Sequence, residues 1–386
     1  MTHRSERLQA PPLGLYLHTP WCVRKCPYCD FNSHTAPTTI PEDDYLSALI
    51  EDLDADQDML DGRPLQSLFI GGGTPSLMSA SFYERFLDAL SRRVDLSQLD
   101  EITLEANPGT VEEARFRDFR RIGINRLSLG VQSFDPGHLS RLGRIHDDSD
   151  ARRGVATAVD AGFDRINLDL MHGLPEQTPE QAVSDLETAL AFNTGHVSWY
   201  QLTIEPNTAF YSDPPPLPDD DTLASIQEQG EAVLKGAGLQ RYEISAWGRP
   251  GEECRHNLNY WRFGDYLALG AGAHGKVTRS GSGRVRRYWK TRQPADYINR
   301  IGSRTAGRSE LEAPDLVLEF MLNALRLSEG VPASFFQART GLPLSRIEDQ
   351  LRQLRADGLL ADTPEQLVAT ERGRCYLNEV LEAFVP

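Results

Sequence analysis

The sequence predicts an α/β protein, built on a parallel sheet and followed by a smaller C-terminal unit of helices with a short hairpin. Three observations predict it. Six short apolar runs alternate with helically spaced segments between residues 15 and 204. Each run ends in polar or glycine-rich residues. Near Pro314 the pattern changes to helix, helix, helix and turn. Strands alternating with helices imply right-handed crossovers and a parallel sheet. A partial or full α/β barrel fits this order, and such sheets gather functional residues at the carboxyl ends of their strands.

The first apolar run, Leu15-Tyr16-Leu17, leads into a cysteine-bearing loop. Tyr45, Leu46, Leu49 and Leu53 then recur at helical spacing, predicting a helix over Pro41–Met59. Leu65–Ile70 reads as a strand running into Gly71-Gly72-Gly73-Thr74-Pro75, and Phe82–Leu90 as a helix. Glu101–Glu105 is the next strand, closed by Ala106-Asn107-Pro108-Gly109, with a helix expected over Val111–Ile122. Strands at Arg126–Val131, Arg165–Leu170 and Val197–Ile204 alternate with helices at Pro136–Leu142, Ala151–Ala161 and Pro179–Phe192.

Asp213–Asp219 carries four prolines and reads as a stiff connector. A helix over Thr222–Lys235, a strand over Tyr242–Trp247, a glycine- and aromatic-rich segment to Lys276, and a hairpin or exposed loop at Gly281–Arg287 follow. Helices at Asp315–Leu327 and Ile347–Leu354, with Phe335-Phe336 between them and a turn at Leu367–Thr370, give a winged-helix-like order. Arg346, Arg352 and Arg355 are cancelled by Glu348, Asp349 and Asp357, so packing or a lid role is expected there rather than DNA binding.

At 386 residues the chain is long enough for a large domain and a smaller one. A net charge of −16 argues against a general nucleic-acid binder and against a polybasic membrane anchor. Met1–Pro12 holds no apolar core of a signal peptide, and no apolar run approaches membrane-spanning length. Five cysteines, three of them clustered, do not make a secreted disulfide framework; a cytoplasmic location is expected.

The cluster is Cys22-Val23-Arg24-Lys25-Cys26-Pro27-Tyr28-Cys29. Pro20 and Pro27 interrupt regular structure, which puts the three sulfurs on a loop able to wrap an inorganic centre. Soft thiolates select iron–sulfur clusters, zinc or copper(I). Two other readings stand beside a cluster: zinc with His18 or His34 as fourth ligand, making a zinc-stabilised binding module, and three reduced thiols without metal. Three consecutive glycines at 71–73 exceed what a strand-to-helix turn needs, and no Gly-Lys-Ser/Thr follows to make a phosphate loop. Glu105 and Asp169 lie in apolar strands, where a carboxylate is costly to bury unless it faces a cavity. Gln132 follows a strand, and Arg144 lies just beyond.

The C-x3-C-x2-C spacing, with Tyr28 before the last cysteine, resembles the signature of radical S-adenosylmethionine (SAM) proteins. With Gly71–Ser76, Glu105–Pro108, Gly130–Phe134, Asp169–Pro175 and Leu269–Lys276, the resemblance extends over nearly the whole chain, to the oxygen-independent coproporphyrinogen III oxidase-like group. It implies a partial (β/α)6 barrel and a [4Fe-4S] cluster on Cys22, Cys26 and Cys29. It also implies SAM on the fourth iron, contacted by Tyr16, Gly72, Gly73, Thr74, Glu105, Gln132, Arg144 and Asp169.

Coproporphyrinogen dehydrogenases of that group carry a further cysteine two residues after the third, where this chain has Phe31, and a long N-terminal extension, where only about twenty residues precede Cys22. Instead, Cys254-Arg255-His256-Asn257-Leu258-Asn259-Tyr260-Trp261 holds an H-N-x-x-Y-W element resembling that of HemW-type haem chaperones. His256 can ligate haem iron, with Cys254 two residues away, while Tyr260 and Trp261 offer flat apolar surface; His256, Asn257, Tyr260 and Trp261 are the candidate haem contacts. An aromatic core with a hydrogen-bonded His256 is the plain structural reading of the same residues. The resemblance implies haem delivery, with haem and haem-accepting proteins, free or at a membrane surface, as partners. The alternative it leaves is oxidative decarboxylation of coproporphyrinogen III. The expected division is a radical SAM barrel over residues 1–210, an extension with the H-N-x-x-Y-W element over 211–310, and a C-terminal winged-helix-like unit over 311–386.

Overall fold

The computed structural model of the chain describes residues 8–109 and 114–386. Six parallel strands stand where the alternation predicts: β1 (Leu13–Thr19), β2 (Leu65–Gly72), β3 (Glu101–Ala106), β4 (Arg126–Gln132), β5 (Arg165–His172) and β6 (Gly195–Gln201). They lie side by side in chain order with parallel register throughout. Their interior positions are almost wholly buried, as expected of strands covered on both faces.

The sheet extends beyond these six. The segment Tyr242–Trp247, expected as one strand, is a tight antiparallel pair, β7 (Gln240–Glu243) and β8 (Ala246–Gly248), with β8 laid against β6. On the opposite edge β9 (Asp265–Leu269) pairs in parallel with β1, and β10 (His274–Arg279), β11 (Arg284–Lys290) and β12 (Thr305–Glu310) continue antiparallel. The result is one twelve-stranded sheet in the order β12-β11-β10-β9-β1-β2-β3-β4-β5-β6-β8-β7. The glycine- and aromatic-rich stretch did not read as strand because Gly270, Gly272 and Gly275 interrupt its alternation.

The covering helices start on side-chain caps that their sequences supply. Ser79 accepts from the Phe82 amide ahead of helix Ala80–Ser91, and Thr178 and Gln181 form a reciprocal capping box ahead of Pro179–Ala191. The expected helix over Val111–Ile122 is shorter in its described part, Phe116–Arg121; residues 110–113 lie outside the described residues. The last parallel strand ends at Gln201 rather than Ile204.

Two large apolar cores form among the described residues, beside a small cluster of Leu142, Met171, Leu174, Leu202 and Phe210. The larger fills the sheet and its helices; the smaller collects Phe320, Phe336, Leu351 and Val380 from the C-terminal helices together with Leu8, Phe263 and Val285. The C-terminal helices and the two-stranded pair Val331–Pro332 with Gln366–Leu367 follow the winged-helix-like order. Helix Arg255–Trp261 lies between the cores: Leu258 and Trp261 pack on the smaller one, and Arg326 sits 4.4 Å from the Trp261 ring centre.

Candidate functional site

The carboxyl ends of β2 to β6 converge on a cavity of about 370 Å³. Cys22, Cys26 and Cys29 line it, together with Gly72, Gly73, Thr74, Glu105, Gln132, Arg144 and Asp169. The three thiols are free and half-buried. Cys26 and Cys29 lie on the expected loop, but Trp21–Cys22 forms a two-residue ladder with His34–Thr35, so the loop is pinned at its base. Thr74 Oγ1 donates to Cys22 Sγ at 3.5 Å, Arg144 Nη1 to Cys26 Sγ at 3.7 Å, and Cys29 Sγ meets Ser33 Oγ at 3.7 Å. Burial raises the Cys22 and Cys29 pKa values, opposed by the hydroxyls of Thr74 and Ser33 respectively.

The need for glycine after β2 is steric. A Cβ on Gly73 would stand 2.5 Å from the Trp21 carbonyl oxygen and 3.0 Å from Cys22 Sγ. Gly72 has φ of 125° and would place a Cβ 2.7 Å from the Thr19 carbonyl oxygen. The glycine run lets the end of β2 lie directly against the cysteine loop.

Glu105 accepts from the Gly72 amide at 3.1 Å and is otherwise turned to the cavity. Burial pushes its pKa up to about 8, with the negative charge of Asp169 adding to the shift. Asp169 lies within β5 rather than at its end, and accepts from Asn167 Nδ2 at 2.8 Å and Ser128 Oγ at 3.0 Å. Burial raises its pKa, and these hydrogen bonds limit the rise. Arg144 is half-buried in the cavity wall: its guanidinium donates to Asn107 Oδ1 at 2.6 Å and to the Gly130 carbonyl at 2.7 Å while reaching Cys26. Gln132 holds φ of 70°, a conformation uncommon outside glycine, and the turn after it is tied down by Asp185, which accepts from the Phe134 amide and Ser133 Oγ, each at 2.7 Å.

A second, larger cavity of about 1080 Å³ adjoins the first, and Asp30, Phe31, Gly72, Glu105 and Tyr200 line both. His256, Asn257, Tyr260 and Trp261 all face it. Tyr16 also lies here rather than in the thiol-lined cavity, its hydroxyl 2.9 Å from His18 Nδ1. His256 is held through Nδ1 by Ser67 Oγ at 2.9 Å and packs on Phe69 with ring centres 5.2 Å apart. Burial lowers its pKa to about 4, so the ring is neutral near pH 7 and able to ligate. Cys254 departs from expectation: it is fully buried outside this cavity, its thiol donating to Glu101 Oε1 at 3.5 Å. The Glu101 carboxylate caps the start of the His256 helix through the Arg255 and His256 amides, each at 3.0 Å.

Sequence reasoning passed over Asn107, Tyr200, Asn32 and Trp289, which also line these cavities. Asn107 carried a signal, since it directly follows the strand that carries Glu105; it joins Thr74 Oγ1 to Arg144. Tyr200 and Trp289 carried none, because only strand pairing brings them to the shared space, and Asn32, in the loop after Cys29, carried none that set it apart from its neighbours.

Comparison with known proteins agrees with this architecture. The radical SAM superfamily matches residues 16–189, and the HemN C-terminal domain matches residues 311–376. The chain is 50% identical over 378 residues to the heme chaperone HemW of Escherichia coli (strain K12), covering 98% of this chain and 99% of that protein. It is 48% identical over 379 residues to the heme chaperone HemW of Haemophilus influenzae, covering 97% and 98%, and 33% identical over 382 residues to that of Bacillus subtilis, covering 96% and 98%. Among solved structures, coproporphyrinogen III oxidase (HemN) of Escherichia coli superposes with a TM-score of 0.81 over 98% of this chain and 91% of that chain, at 22% identity, a likeness of fold. A radical SAM sheet, a HemN-type C-terminal domain and full-length similarity at this level put the chain in the HemW family of the radical SAM superfamily.

Proposed function

We propose that the chain binds a [4Fe-4S] cluster on Cys22, Cys26 and Cys29, SAM beside it in the smaller cavity, and haem in the larger one, and that it delivers haem to haem-requiring proteins. The observation that carries this reading is the adjacency of the two cavities. One is lined by three thiols and a glycine-rich strand end, the other by the H-N-x-x-Y-W element, and they share Phe31, Glu105 and Tyr200.

The donor set of the smaller cavity fits such a cluster. It offers three soft thiols, Arg144 against one of them, and a strand end without side chains at 72–73. When bound, the cluster and SAM supply one-electron chemistry at the sulfonium.

The remaining work falls to the chain. Glu105 and Asp169 offer carboxylate oxygens to the amino and hydroxyl groups of an adenosyl amino acid. Arg144 holds Asn107 and Gly130 in place while neutralising thiolate charge. In the larger cavity Ser67 engages His256 Nδ1, which leaves Nε2 as the nitrogen for iron. Tyr260 and Trp261, crossed edge to face at 4.8 Å, give a porphyrin face an apolar wall. Among the described residues no helix is long and apolar enough to cross a membrane, so an acceptor in a membrane would be met from its surface.

Anaerobic reconstitution of the full chain, then haem titration and a coproporphyrinogen III assay on the same sample, tests this. Bound iron and sulfide, saturable haem uptake and no protoporphyrinogen are expected. Protoporphyrinogen formation would reassign the chain as a dehydrogenase, and failure to take up iron and sulfide would remove the cluster. Cys26→Ala should abolish the iron–sulfur absorption. His256→Ala should weaken haem binding by about tenfold or more with iron content unchanged.

A further inference from the structure

The larger cavity has one charged feature that neither thiols nor flat aromatic walls explain. Among the described residues lining it, two side chains carry fixed positive charge, Lys290 and Arg292. Lys290 is spent: it is buried and turned into the core, where its ammonium meets Asp52 at 2.7 Å and Asp56 at 2.5 Å. Arg292, two residues beyond the end of β11, pairs with no carboxylate among the described residues. Its side-chain hydrogen bond is from Nε to Asn32 Oδ1 at 3.1 Å.

Asn32 holds this arginine at two points, since its Nδ2 also donates to the Arg292 carbonyl at 2.9 Å and to the Ala271 carbonyl at 3.0 Å. The guanidinium is thus fixed on one edge, with both terminal nitrogens free of partners among the described residues and left for a ligand. The neighbouring imidazoles do not compete as cations. His274 is held below its usual pKa by burial and by Arg287 and Arg292; His34 is held below its own by burial, Lys25 and Arg292. The acids of the lining, Asp30 and Glu105, lie on the wall shared with the thiol cavity. Beside Arg292 the lining offers the Trp289 ring, stacked on His274 with ring centres 6.3 Å apart.

We propose that Arg292, preset by Asn32, binds an ionised carboxylate on the rim of the flat ligand, so that the cavity selects tetrapyrroles bearing acidic side chains. The assignment rests on the haem reading of this cavity and adds its specificity. A guanidinium presents two parallel N–H donors matched to a carboxylate, and one already oriented loses little freedom on binding. The aromatic walls hold the macrocycle, and Arg292 fixes its rotation in the plane relative to His256.

The test is titration of the full-length protein with haem and with haem dimethyl ester in one buffer, for wild type, Arg292→Gln and Arg292→Lys, with thermal unfolding as a check on folding. Wild type should bind haem about tenfold or more tighter than the ester. Arg292→Gln should weaken haem to the level of the ester and leave ester binding unchanged, while Arg292→Lys keeps part of the preference. Equal wild-type affinity for both probes overturns this assignment alone. Equal loss of both in Arg292→Gln also overturns it, because Arg292 would then be shaping the cavity rather than reading charge. Wild-type protein that takes up neither probe overturns the haem reading and this assignment with it.

Discussion

Glu101 and Glu105 stand toward opposite ends of β3, the first buried and the second half-buried against the cavity, and meet opposite fates. Glu101 is surrounded by donors: Arg165 Nη1 at 2.8 Å and two helix amides at 3.0 Å. Burial raises its pKa, but the charges of Arg126 and Arg165 and the amide bonds outweigh it, and the net shift is downward. Glu105, four residues on, has the Gly72 amide and a nearby Asp169, and stays raised to about 8. One end of the strand is compensated from within and holds the fold. The other is left short of donors and faces the cavity. A carboxyl left under-compensated at the carboxyl end of the sheet therefore marks the proposed binding site.

The largest effect expected from breaking this contrast is at the compensated end. Glu101→Ala leaves the Arg165 guanidinium without its buried partner and uncaps the His256 helix. It should cost ~3–5 kcal/mol in denaturant unfolding, and a loss under ~1 kcal/mol would refute the structural role.

The second prediction concerns pH, and the two ends should differ in sign. Glu101, lowered on folding, contributes stability above the ordinary glutamate value of 4.5 and loses it as pH falls through its folded value. Glu105, raised on folding, does the reverse. In ligand-free protein its contribution to stability should fall as pH rises from 4.5 toward about 8, by at most ~1.4 kcal/mol per unit. Glu105→Gln should remove that slope and weaken SAM binding without a matching loss of stability. A stability difference from wild type that stays flat across this window would show that the two carboxylates are alike.

The smallest effect is expected at Ser67. Ser67→Ala removes one hydrogen bond to His256 Nδ1, worth ~0.5–1.5 kcal/mol, so haem affinity should fall about two- to tenfold. Iron–sulfur content should not change. Unaltered haem titration would mean that His256 is oriented by packing on Phe69 alone.

Much of the thiol-lined cavity was legible in the sequence because its parts are local. The cysteines share one loop, and the glycines follow one strand. Glu105, Gln132 and Asp169 each belong to a strand whose period is visible. Arg144 was half legible: its position after the fourth strand was visible, while its burial against Cys26 depended on a loop 118 residues away. The larger cavity was less legible. The H-N-x-x-Y-W element stood out, but the apparent partnership of Cys254 with His256 was undone by Glu101, which binds that thiol across 153 residues. Arg126 gave no signal as the first residue of an apolar strand, yet it is buried there, and its charge helps to lower the Glu101 pKa.

By itself, the sequence determined the parallel α/β order, the thiol loop and the strand-end carboxylates, because periodicity, caps and turn residues act over a few positions. Only the tertiary structure decided which walls the two cavities share. Strand β9 seats against β1, setting Leu13 opposite Asp265, and that long-range pairing carries the His256 helix, Trp289 and Arg292 round to face the end of β2. No local pattern encodes such a pairing, because its free energy lies in surfaces that meet only after the chain has closed.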